Sequence, residues 1–169
     1  MANRLSRLLR HWRFDDGDVA RVLPPAALAR VEARVEASEA RHSGEIRVAV
    51  EAGLPWSYLR RDATARDRAL AMFGKLGVWD TERNNGVLIY LLLAEHAIEI
   101  VADRGLNRHV DGAAWAAIAD PMREAFQRGD FEAGIAQAIE AVDALLVRHF
   151  ARAADHVDTN ELPDAPLLG

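Results

Sequence analysis

The tripeptide Asn84-Asn85-Gly86, followed at once by the unbroken apolar run Val87 to Ala94, constrains this chain more than any other feature. Asn-Gly is a turn signal, and eight apolar residues fall well short of the roughly 20 that span a bilayer as a helix. So uniform a run fits a central β-strand covered on both faces. After Ala94-Glu95-His96, Ile98 and Ile100 alternate with Glu99 and Val101. The link is too short for a crossover helix, so the second strand returns antiparallel. A hairpin with both faces covered requires a helical layer on each side.

The rest of the chain supplies those layers. From Ala26 to Arg41, Leu28, Val31 and Val35 form a narrow helical stripe, ended by His42-Ser43-Gly44. Glu45 to Glu51 alternates at period two with Ile46, Val48 and Val50 inward, which predicts a half-buried strand. Leu59, Ala63, Leu70 and Phe73 then recur at helical spacing until Gly74 and Gly77. Trp115, Ile118, Met122 and Phe126 mark a helix that Pro121 should kink. Phe131, Ile135, Ala138, Ile139, Val142, Leu145 and Leu146 mark another, running to Phe150. Trp79, Trp115 and Phe126 have the spacing of core residues. These elements predict an α/β fold: a three-layer α/β/α sandwich around a small mixed sheet with one antiparallel hairpin.

Three segments are expected. Residues 1–23 hold a basic amphipathic helix, with Leu5, Leu8, Leu9 and Trp12 on one face and Arg4, Arg7, Arg10, His11 and Arg13 on the remainder, then the acidic linker Asp15-Asp16-Gly17-Asp18. Residues 24–150 form the main domain. Residues 151–169 are an acidic, proline-broken tail expected to stay flexible, with Leu162, Leu167 and Leu168 able to clip onto a neighbour. Two readings of the first helix stand side by side. Arg4, Leu5, Leu8, Leu9 and Trp12 meet an anionic membrane or a partner helix, or Leu5, Leu9 and Trp12 dock on their own domain or a dimer mate. The N-terminus lacks the apolar stretch of a signal peptide, so the expected location is cytoplasmic, with peripheral membrane contact as an option.

Charge and composition remove several functions. A net charge of −5 argues against nucleic acid, which needs a basic face. The absence of cysteine excludes disulfides, thiol nucleophiles and cysteine-ligated metals. The chain has no G-x-S-x-G, G-x-x-x-x-G-K-[ST], G-x-G-x-x-G or H-E-x-x-H motif. His42-Ser43 reads as turn chemistry at a helix end. Asp15 to Asp18 lacks the later glutamate of a calcium loop, and the six histidines have no zinc-ligand spacing.

What remains is a rim. In an antiparallel pair the start of one strand lies beside the end of the next. The loop before the hairpin, Arg83 to Gly86, and the loop after it, Asp103 to Asp111, are therefore neighbours. Asn84, Asn85, Asp103, Asn107 and Asp111 bring hard oxygen groups to one edge, suited to Ca²⁺, Mg²⁺ or a polar ligand. The plain alternative is a capped loop pair, with Asn85-Gly86 as a turn and Asp111 as the N-cap of the following helix.

Four ordered segments, Gly44 to Val50, Asn84 to Leu91, Glu99 to Gly105 and Phe126-Gln127-Arg128-Gly129-Asp130-Phe131, resemble the TPM domain family over about 110 residues. The resemblance implies a three-layer α/β/α sandwich. For function it implies either an accessory module of membrane protein maintenance or an acid phosphatase, with divalent cations held at an acidic loop cluster. The family's Asp-Asn-Gly loop is here Asn84-Asn85-Gly86, its Gly-aromatic-Gly turn is Asp103-Arg104-Gly105, and Asp111 falls about where its second aspartate stands. Asn84 removes a negative charge from such a cation site and Arg104 adds a repelling one. The expected ligand rim is Asn84, Asn85, Asp103, Arg104 and Asp111, with Asn84, Asp103 and Asp111 as the candidate metal ligands. A non-catalytic binding module is the leading expectation; a Mg²⁺-dependent phosphatase working through Asp103 or Asp111 is the alternative.

Overall fold

The computed structural model describes residues 2–152 and 160–169. The chain runs α1 (Ala2–Arg13), α2 (Asp16–Val22), α3 (Pro25–Glu39), β1 (Ile46–Glu51), α4 (Trp56–Arg60), α5 (Ala65–Lys75), β2 (Val87–Leu92), β3 (Ala97–Ala102), α6 (Arg104–Asn107), α7 (Gly112–Gln127), α8 (Phe131–Phe150) and β4 (Leu167–Leu168). The sheet order is β3-β2-β1-β4. β1 runs parallel to both β2 and β4, while β2 and β3 form the antiparallel hairpin.

Period-two alternation sends the strands' side chains into two separate cores. Ile46, Val48, Val50, Val87, Ile89 and Leu91 pack with α2, α3, α7 and α8 on one face. Ala49, Leu88, Tyr90 and Leu92 pack with α5 on the other. The α/β fold, with its mixed sheet and one antiparallel pair, is the one the hairpin run requires. The turn between its strands is a single 3₁₀ turn, Leu93–Glu95, closed by His96 in the left-handed region.

Several local expectations change. Asp15 to Asp18 does not break the chain: Asp15 caps α2, its side chain accepting from the Asp18 N–H while the Asp18 side chain accepts from the Asp15 N–H. Val19 and Leu23 of this stretch sit in the core, so the domain begins before residue 24. The helix expected through Ala63 is two, because Thr64 and Asp67 form a second capping box and restart the helix as α5. The restart turns Ala65, Ala69 and Met72 inward and leaves Leu70 half exposed. Trp79 is exposed as well, and Val78 takes the core position beside it.

β1 is buried on both faces, because its polar side chains have partners. Glu51 accepts from Arg68 and from the Tyr90 hydroxyl. Arg47 donates to the carbonyls of Pro163 and Ala165, and Glu45 accepts from the N–H groups of Glu161 and Leu162. Residues 160–169 are therefore a strap along the sheet edge, ending in β4, where residues 151–169 were expected to form a flexible acidic tail; residues 153–159 of that tail lie outside the described residues. Acidity did not prevent packing because Arg47 takes the strap's carbonyls and faces Asp164, while the strap's own N–H groups answer the buried Glu45. Beside this strap, burial first of all pushes the Glu39 carboxyl up to about 9, and the charges of Glu45 and Asp164 push the same way.

The first helix docks on its own domain, and it does so by its polar side. Arg7 donates to Glu95 at 2.6 Å and to the Ala63 carbonyl at 2.6 Å, and pairs with Asp62 at 3.0 Å. His11 is buried, contacts Glu95 at 2.9 Å and accepts from the Leu54 N–H at 3.0 Å.

Candidate functional site

Parallel pairing of Ile46 with Val87 sets the segment before β1 beside the segment before β2. Antiparallel pairing of Val87 with Ala102 adds the segment after β3. Three loops thus meet at one end of the sheet. Two glycines allow the close packing here, Gly105 between loops and Gly86 within its own segment. A Cβ on Gly105 would lie far inside van der Waals contact with the carbonyls of Asn84 and Arg83, and one on Gly86 would collide with the Val78 carbonyl. The loops are stitched by backbone bonds, Asp103 N–H to Gly86 O at 2.9 Å and Gly105 N–H to Asn84 O at 2.8 Å. Asn84 holds a left-handed backbone, φ 53°, a conformation asparagine tolerates better than most residues.

Of the expected rim, Asn84, Asn85, Asp103 and Arg104 come together. Arg104 Nε lies 3.4 Å from Asn84 Oδ1. Asn85 is fully buried. Its Nδ2 donates to the Ser43 carbonyl at 3.0 Å, which fixes the orientation of the amide because a carbonyl only accepts. Asn85 Oδ1 is consequently turned away from Ser43, buried and without a hydrogen-bond partner. Asp103 Oδ1 accepts from the Arg104 N–H at 2.6 Å, while its Oδ2 is likewise buried and unpartnered. These are the two such side-chain atoms among the described residues. Each costs about 1–3 kcal/mol of unreturned desolvation, and such atoms call for an explanation.

Asp111 caps α7, accepting from the Ala114 N–H at 2.8 Å, as the plain reading of the loop pair requires. Asn107 is spent on the Ala102 carbonyl and the Trp115 indole. Sequence reasoning missed Ser43 and Arg83. Ser43 orients Asn85 through its carbonyl, and its hydroxyl accepts from Arg83 Nη1 at 3.2 Å. The signal was present in the chain: two parallel strands begin at the same end, so the residues before them must adjoin.

Directly before Ser43 in the chain, His42 belongs to a buried polar cluster that looks catalytic by residue type. Ser38, His42 and Asp143 are 4%, 0% and 5% exposed. His42 Nδ1 accepts from the Gly44 N–H at 3.2 Å, so Nε2 carries the proton and donates to Ser38 Oγ at 2.9 Å. Ser38 in turn donates to Asp143 Oδ1 at 2.8 Å, and Arg41 closes the chain on Asp143 Oδ2. A serine nucleophile needs an imidazole that accepts its proton. Here the proton order runs the other way and every polar side-chain atom of Ser38, His42 and Asp143 is occupied. Burial pushes the His42 imidazole down to about 4, against the opposing pull of Asp143. This cluster is scaffold that ties α3 and α8 to the strand entrance.

The model of the TPM domain matches residues 17–145, spanning all three loops and both clusters. The chain belongs to the TPM domain family. Among solved structures, this TPM domain is similar to the BA42 protein from the psychrophilic bacterium Bizionia argentinensis, at 28% identity and TM-score 0.75, over 87% of this chain and 95% of that one. It also shares its fold with the N-terminal domain of a protein from P. gingivalis, at 20% identity and TM-score 0.58, over 79% of this chain and 84% of that one. No curated protein matches.

In this TPM domain the loop pair fits a hard cation only in part. Asn85 Oδ1 and Asp103 Oδ2 are oxygen donors without partners. Yet no three His, Asp or Glu residues gather as a metal cluster among the described residues. Of the metal ligands expected from sequence, Asp103 alone is a carboxylate at the meeting of the loops, since Asp111 serves its cap and Asn84 Oδ1 faces Arg104.

Proposed function

We propose that this TPM domain is a binding module whose site is the meeting of three loops at Ser43, Asn84-Asn85 and Asp103-Arg104. Asn85 Oδ1 and Asp103 Oδ2 are the oxygens that would hold a hard divalent cation, Ca²⁺ or Mg²⁺, which would supply a positive charge for an anionic ligand. The exposed Arg83 and Arg104 receive the anionic part of the ligand as neighbouring charges. The observation that carries this reading is the pair of buried, unpartnered oxygens on adjoining loops. A fixed amide oxygen and one carboxylate suit a weak site, on the order of 10⁻⁴–10⁻³ M. As an accessory module the domain presents a ligand to another protein, in keeping with the membrane-maintenance role the family resemblance implies.

The rival is a divalent-cation-dependent phosphatase. Oxygen donors beside two guanidinium groups are also what phosphoryl transfer uses, but proton transfer would have to run through Asp103 without a second acid or base in the cluster. Binding is therefore the better-supported function. Amide NMR with Ca²⁺ and Mg²⁺ tests it: shifts confined to residues 43, 83–86 and 103–105 are expected, and unmoved spectra contradict it. Hydrolysis of an aryl phosphate that disappears in Asp103→Asn would replace binding with catalysis.

A further inference from the structure

The polar docking of α1 has a geometric consequence. Arg7 and His11 fasten the helix to Glu95, Asp62 and the Leu54 backbone, which leaves Leu8 half-buried against α4 and the rest of the apolar side open. Trp12 is 84% exposed and Leu5 and Leu9 are 62% and 51% exposed. Beside them the start of α4 presents Trp56, 66% exposed. Leu5, Leu9, Trp12, Leu54, Trp56 and Leu59 line a shallow groove of about 420 Å³. Exposed arginines flank it, Arg10 and Arg13 beside Asp18 on one side and Arg4 and Arg60 beside Asp62 on the other, so arginines outnumber acids along its border.

We infer that this face, built from α1 and the start of α4, lies on an anionic lipid surface. Tryptophans beside leucines with an arginine border are the composition of an interfacial helix, in which the apolar side enters the headgroup boundary and the basic residues meet lipid charge. In such a helix the polar side normally faces water; here the domain itself takes that place, which sets the sheet above the membrane. A second copy of the chain fits less well. A two-fold contact buries one patch against itself and would set this arginine border against its own image. No helix among the described residues is long and apolar enough to cross a membrane, so the association is peripheral. Each arginine near the surface adds about fivefold to partitioning at low salt.

Flotation of the full chain with vesicles tests the inference. Binding to mixed phosphatidylcholine–phosphatidylglycerol vesicles should exceed binding to pure phosphatidylcholine by about tenfold or more. The doubly substituted Trp12→Ser/Trp56→Ser chain should lose about tenfold, and Arg10→Glu/Arg13→Glu should lose at least as much while leaving thermal unfolding unchanged. Full chain that stays with the soluble fraction for both vesicle types overturns the inference, as does equal flotation of the tryptophan variant. Sedimentation velocity on the same chains gives the remaining contradiction: a dimer that the tryptophan substitutions dissolve would assign the face to a second copy.

Discussion

Two sets of polar side chains meet at the strand entrance around Gly44, and they differ in what they leave undone. On one side Ser38, His42 and Asp143 have the residue types of a hydrolase triad, and all their polar atoms are partnered. On the other side Asn85 and Asp103 have unremarkable residue types and leave one oxygen each unpartnered. Gly44 holds them apart at close range, since a Cβ there would press on Leu146 and come within 3.1 Å of the Asn85 carbonyl. On the function proposed above, satisfaction of hydrogen bonds, more than residue type, separates scaffold from site. A fully answered network stabilises the fold, whereas an unanswered oxygen is an opportunity for a ligand.

Substitutions should therefore act oppositely on the two sides. The largest effect is expected in Asp143→Ala, which strands Ser38 and His42 in a buried pocket and releases the exposed Arg41 to solvent, and should cost about 3–4 kcal/mol in urea unfolding, with or without divalent cation. A loss under 1 kcal/mol would deny the cluster its scaffold role.

Next comes acid. Because the folded-state pKa of His42 is depressed to about 4, the unfolded chain binds the extra proton first as pH falls from 6.5. Stability should then drop by on the order of 3 kcal/mol between pH 6.5 and 4. In His42→Gln this part of the slope should vanish from urea unfolding curves recorded across that range. Glu39 works in the opposite sense and outside both clusters. Its raised pKa gives stability that is complete below pH 4.5 and is lost as pH climbs through about 9. Glu39→Gln should flatten that alkaline limb, and hydrogen exchange of Leu167 and Leu168 should then stop accelerating with pH beyond the intrinsic chemical rate. An unchanged alkaline limb in Glu39→Gln would exclude the strap as its origin.

Asn85→Ala should cost only about 1 kcal/mol, since losing the bond to Ser43 is offset by removing an unpartnered oxygen. A calorimetric loss as large as that of Asp143→Ala would make the two clusters equivalent and remove the distinction.

Most of the fold was legible because it rests on periodicity. The run Val87 to Ala94 and the short link after it are enough to require a hairpin covered on both sides. The strap was not legible. Arg47 and Glu45 read as the solvent side of an alternating strand, and only the three-dimensional structure reveals the backbone groups of residues 161–165 that occupy them. At the site, adjacency of Asn84-Asn85 and Asp103-Arg104 followed from strand direction. Asp111 did not join them because a helix N-cap claimed its carboxylate. Ser43 was passed over as turn chemistry, since its role runs through a backbone carbonyl that no side-chain pattern advertises.

The central claim is that Asn85 Oδ1 and Asp103 Oδ2 are unpartnered because a cation partners them. Asp103→Asn keeps the side chain's shape and its acceptor for the Arg104 N–H, so without ligand its stability should stay within about 0.5 kcal/mol of the parent. The decisive measurement is urea unfolding of both chains with and without Ca²⁺. At a concentration tenfold above Kd the parent should gain about 1.4 kcal/mol, and Asp103→Asn should gain nothing. An equal gain in both chains, or none in the parent, would contradict the account.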